Sequence, residues 1–144
     1  MIGLRLAREL TFWRAALVCA AIWSLVPSSL FLRPHSLTVS AVAGGYEAAF
    51  ARATPLGSVR AAWHTEVQGR VECDAQDDGL TRYEARGLEV VPFRIEPGLA
   101  ACLGPDQPFA YVTTHTVFLA GLVPLRPATT VWLCPALGKP CRLA

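Results

Sequence analysis

The first 32 residues divide into a basic start and an uncharged apolar run. Arg5, Arg8 and Arg14 come first, and no side chain in residues 15–32 carries charge. As a helix rising about 1.5 Å per residue, that run reaches roughly 27 Å. A bilayer's hydrocarbon core is roughly 30 Å thick. The pattern therefore predicts a transmembrane signal-anchor helix over 15–32. The excess of arginine before it puts residues 1–14 in the cytoplasm and the rest of the chain outside. Trp13 falls at the inner boundary, where aromatic rings favour the headgroup zone. Pro27 falls late in the run and predicts a kink or an early end. Ala16, Cys19, Ala20 and Ser24 recur on about one face, as candidates for contact with another helix.

Two processed forms compete with the anchor. Ala41-Val42-Ala43 has the small-x-small chemistry of a cleavage site, and a cut there would leave Gly44 first. It lies about ten residues beyond the apolar run, farther than a usual signal allows. Lipidation of Cys19 would need a small residue before it, and Val18 stands there.

Residues 33–58 read as an exit linker, with a short strand over 37–43 and an alanine-rich helix over 46–53. From 59 onward the pattern changes to short alternating steps. Val59, Ala61, Trp63, Thr65 and Val67 share one face; Arg60, Ala62, His64, Glu66 and Gln68 share the other. This period of two predicts a half-buried strand with Trp63 inward. Asp77-Asp78-Gly79 reads as a hairpin turn between 71–73 and 80–86. Residues 88–95 form another strand, placed at an edge or bent by Pro92. The uncharged run 109–125 reads as a buried strand rather than a second span, because its middle is threonine-rich and β-branched. A last strand over 129–134 puts Trp132 inside. Short strands separated by Gly and Pro turns predict a mainly β fold, a small disulfide-bonded sandwich or barrel over 59–144.

Charge narrows the partners. The formal net charge is +2. The three N-terminal arginines and Glu9 account for that surplus, leaving ten Lys+Arg and ten Asp+Glu from 33 to 144. A neutral outer domain argues against nucleic acid, which demands a basic footprint. It also argues against strong adhesion to anionic lipid. One lysine against twelve arginines, with no asparagine, points to a GC-rich bacterial coding bias.

Cys19 lies in the apolar run, and Cys73, Cys102, Cys134 and Cys141 lie in the outer domain. An even set in an exported domain predicts two disulfides. Four cysteines allow three pairings, which sequence does not decide; the short Pro-flanked loop favours Cys134–Cys141, leaving Cys73–Cys102. Their spacing lacks the close Cys-x2–4-Cys pairs of a zinc site and the Cys-x-x-Cys of a redox site.

Candidate chemistry is sparse. His64 and Glu66 sit two apart on the polar face of one strand, a spacing open to acid–base work but ordinary for a surface pair. His115 reads as a hydrogen-bonded core or interface histidine. Glu72, Asp74, Asp77 and Asp78 cluster without the order of a calcium loop. No Gly-x-Ser-x-Gly, Ser-x-x-Lys, His-Glu-x-x-His or P-loop occurs. No catalytic residue, metal or cofactor is assigned. Phe93, Leu122, Leu125 and Leu137, beside prolines or turns, are the candidates for protein contact.

The sequence thus predicts a non-enzymatic single-pass protein of a bacterial inner membrane with a periplasmic β-domain. Its expected partners are the bilayer, through 15–32, and other membrane or periplasmic proteins. It would serve as an accessory or assembly subunit of a secretion, conjugation or electron-transfer complex. The alternatives are a cleaved, soluble binding or inhibitor domain and, further off, a small periplasmic enzyme using His64 and Glu66.

Overall fold

The computed structural model describes residues 2–43, 45–69, 74–84, 87–95, 98, 103–104 and 106–144. One helix, α1 (Ile2–Ser24), leads into a two-sheet β-domain. The first sheet holds β1 (Arg33–Val42), β2 (Gly45–Thr54) and β5 (Gly87–Ile95), in the order β1-β2-β5. The second has the order β4-β3-β6-β8-β9, with β7 also pairing β6. Its strands are β3 (Val59–Gln68), β4 (Asp74–Tyr83), β6 (Phe109–Leu119), β7 (Val123–Pro124), β8 (Ala128–Cys134) and β9 (Arg142–Leu143). Every pairing between these strands is antiparallel.

The expected transmembrane helix over 15–32 is corrected. The helix ends at Ser24, and among the described residues no helix is long and apolar enough to cross a membrane. Val26 begins the β-domain instead. The Arg126 amide donates to the Val26 carbonyl (2.9 Å), and the Ser28 amide donates to the Arg126 carbonyl (2.9 Å). A single 3₁₀ turn, Ser28–Leu30, follows. The buried Ser28 hydroxyl accepts the Val117 amide at 3.0 Å. Leu32, Val26 and Phe31 pack with Val59, Ala61, Tyr83, Val117 and Leu125 at that end of the domain. The second half of the apolar run therefore fills a protein core.

The segment expected as a linker with a short helix is a full hairpin. β2 pairs with β1 from Gly45 to Ala53 and with β5 from Tyr46 to Thr54. Alanine favours helix only weakly against tertiary pairing. Here Ala48 and Phe50 face the core and are covered on both sides.

The expected Asp77-Asp78-Gly79 turn is also absent. β4 runs straight through it, with Trp63 paired to Gly79. A Cβ at Gly79 would lie 2.5 Å from the Trp63 ring, so glycine is there to make room for the indole. The Trp63 indole N–H donates to the Thr81 hydroxyl at 3.0 Å.

Other expectations hold. The β3 alternation holds at Val59, Ala61, Thr65 and Val67, which are buried, while Trp63, expected inside, is only half-buried. β5, which carries Pro92, is an edge strand. Residues 109–119 form an alternating, half-buried strand, and Trp132 is buried. Cys134 and Cys141 are bonded. Their loop laps onto the other sheet: the Gly138 amide donates to the Val39 carbonyl and the Cys141 amide to the Leu37 carbonyl. Cys73 and Cys102 lie outside the described residues.

The main core sits between the sheets at the disulfide end. Leu37, Val39 and Phe50 of one sheet meet Val67, Tyr111 and Trp132 of the other. The 26–32 segment closes the opposite end.

Candidate functional site

Three places can carry function: the outer pair His64–Glu66, a buried polar cluster between the sheets, and α1 with the domain end it leaves.

His64 and Glu66 come together as their spacing requires. His64 Nε2 and Glu66 Oε1 are 3.3 Å apart, and both side chains are almost half-exposed. Among the described residues, no group of three or more His, Cys, Asp or Glu side chains could hold a metal. The pair is open to water and lies on the outer face of a sheet.

The buried cluster was not foreseen from the sequence. Arg52, only 2% exposed, lies between two rings, its guanidinium carbon 4.4 Å from the Phe50 centroid and 4.7 Å from that of Tyr83. Cation–π attraction favours this when the charge leaves water. A single arginine in an alanine-rich stretch gave little signal. The one clue is that Arg52 shares strand parity with Ala48 and Phe50, which face inward.

Arg52 lines a cavity with Thr65, Tyr111, Thr113 and His115. The volume is about 10 Å³, room for roughly one water. Burial, then the nearby Arg52 charge, pushes His115 down to about 3. Burial pushes the Tyr111 hydroxyl up to about 12, against its hydrogen bond with Thr65 and the Arg52 charge. Both groups therefore stay neutral across the physiological range. His115 Nε2 and Thr113 Oγ1 have no hydrogen-bond partner among the described residues. The cavity itself is too small for a substrate, but Arg52 and His115 also border a wider opening of about 520 Å³ with Pro27, Ser29, Arg126 and Thr130.

α1 differs from everything else in the chain. From Leu10 to Trp23 its large apolar side chains are exposed: Phe12 (67%), Trp13 and Leu17 (69%), with Val18, Ile22 and Trp23. At 100° per residue these positions surround the axis. The helix-contact candidates Ala16, Cys19 and Ser24 are exposed on it, with Ala20 half-buried, and Cys19 is a free thiol.

The four protein-contact candidates separate. Leu122, at the tip between β6 and β7, is 83% exposed. Leu125 is corrected: at 1% exposure it is a core residue of the α1 end. Leu137 is half-buried against the main core. Phe93 pairs with Ala48 in β5, and its side chain lies outside the described residues.

Comparison with protein-family models, with curated proteins and with solved structures found no match.

Proposed function

We propose that this protein is a non-enzymatic membrane-anchored subunit, with its β-domain held against the outer face of a bacterial inner membrane. There it serves as an accessory or assembly part of an envelope complex. The observation that carries the reading is the collar of exposed apolar side chains around α1. Large apolar side chains spread around a helix call for an apolar surround, not one apolar partner face. Lipid supplies that surround. Arg14 interrupts the collar, and a long arginine stem reaches back to the headgroups while its charge stays wet. The insertion is short, so lipid thins around it or the helix enters from one side.

Two further observations support the reading. The Cys134–Cys141 bond suits an oxidising compartment. Cleavage after Ala43 would remove β1, and with it the core residues Leu37 and Val39. A retained N-terminus is thus the form that keeps the fold.

The test is flotation of the full chain with neutral phosphatidylcholine vesicles, beside the Leu17→Asp, Ile22→Asp double variant. The wild type rises with the vesicles and the variant stays below. A wild type left below overturns the anchor. Extraction from native membranes in mild detergent, then sizing, tests the subunit role. A stoichiometric complex supports it; a lone 15.5 kDa chain overturns an obligate subunit.

A further inference from the structure

The domain is neutral in sum but not in distribution. The described residues put five arginines at the α1 end, the buried Arg52 and four others. Arg33 and Arg126 flank the 26–32 segment; Arg60 and Arg82 lie at the adjoining ends of β3 and β4. Against them stand Glu84 and, at the register position opposite Arg52, Glu89. Glu47, Glu66 and Asp74 lie toward the opposite end with Arg94 and Arg142, and Asp77 and Asp78 lie mid-strand.

Arg60 and Arg82 are the unusual members. They are directly opposite each other across β3 and β4. Like charges facing across a strand pair repel and destabilise it. Both are exposed. They line a pocket of about 380 Å³ with Ser58, Phe118 and the β6–β7 tip at Ala120 and Gly121. Arg82 Nε donates to Glu84 Oε1 at 2.9 Å, with both side chains about 70% exposed. An ion pair that open to water contributes little and exchanges readily for a stronger anion. Beside the pocket, Leu122 projects from the tip, and Leu56, on the β2–β3 turn of the same end, is 70% exposed. β7, which follows the tip, lies against α1.

We infer that Arg60 and Arg82 bind the phosphate of an anionic phospholipid headgroup, with Leu56 and Leu122 dipping into the bilayer beside it. The inference deepens the anchor reading and rests on it. Guanidinium is suited to phosphate, because its N–H fork matches two phosphate oxygens. An anion between Arg60 and Arg82 also turns their repulsion into a bridge. The leucines explain why the phosphate comes from a lipid: a free ion has no use for two exposed apolar tips. Sequence reading missed the site because it summed charge over the domain, and the register concentrates it at one end.

The experiment compares flotation on phosphatidylcholine vesicles with flotation on vesicles also containing phosphatidylglycerol. The wild type binds the anionic vesicles more tightly. Arg60→Gln and Arg82→Gln each cut that preference about fivefold, near the contribution of one basic residue at a membrane surface. Binding to the neutral vesicles does not change, and circular dichroism of the variants matches the wild type. Leu122→Ser weakens binding to both vesicle types. Equal wild-type affinity for the two vesicle types overturns the headgroup site and leaves the anchor standing. No flotation on either overturns both. Inorganic phosphate that abolishes the preference at constant ionic strength overturns the lipid assignment in favour of a free-phosphate site.

Discussion

Residues 15–32 read as one uninterrupted apolar run, yet its two halves have opposite fates. Leu17, Val18, Ile22 and Trp23 project from α1 and are exposed. Val26, Phe31 and Leu32, a few residues on, close one end of a β-sandwich. Composition does not separate the halves; hydrogen bonding does. Between them the helix stops at Ser24, Pro27 is extended, and Ser28 finds the Arg126 carbonyl and the Val117 amide. Hydropathy thus reports that a segment must leave water, and not whether lipid or protein receives it.

A charge placed in each half breaks or confirms this comparison most strongly. Leu32→Asp buries an unpaired carboxylate and should cost about 4 kcal/mol of domain stability. Leu17→Asp should leave domain stability within about 0.5 kcal/mol. Urea unfolding of both variants is the check, and equal losses would mean that α1 packs on the domain after all.

The next effect depends on pH. His115 is held at about 3 in the folded chain, below its ordinary 6.5. The unfolded chain therefore takes up a proton that the folded one refuses. This contribution is complete above about pH 6.5 and is lost as pH falls toward about 3, by roughly 1.4 kcal/mol per unit. His115→Leu should flatten the acid limb of stability against pH. A variant as acid-sensitive as the wild type would place the titration elsewhere.

Reducing Cys134–Cys141 frees a loop of about eight residues. In the chain-entropy account this costs about 2.5 kcal/mol, read as a lower urea midpoint with dithiothreitol. The smallest effect belongs to the joint between the halves. Ser28→Ala leaves the buried Val117 amide without its hydroxyl acceptor and should cost about 2 kcal/mol. Ser28→Thr, which keeps the hydroxyl, should restore part of that stability. Rescue separates the lost hydrogen bond from a general packing defect.

These contrasts show how far the sequence could be read. Trp132, the β3 face and the Cys134–Cys141 bond were legible because each is a local pattern: a run, a period of two, a short loop between prolines. β2 was not, since its alanines favour helix until two neighbouring strands claim them. Gly79 was misread for a similar reason. An Asp-Gly pair signals a turn, but this glycine answers to Trp63 on the next strand. Leu125 looked like a surface leucine between prolines, and only its return toward Val117 buries it. The Arg60–Arg82 pairing needs the register of β3 on β4, which no local window contains.

The bond from Ser28 to Val117 spans 89 positions. Synthesis runs from the N-terminus, so the strap is made long before its acceptors and donors exist. Val26, Phe31 and Leu32 lack Val117 and Leu125 of their core until β6 and the 125–126 turn have been made. That end of the sandwich therefore cannot close before residues 117–126 have been made. Until then the nascent chain carries sticky surface next to α1, and any helper that shields it must act during that interval.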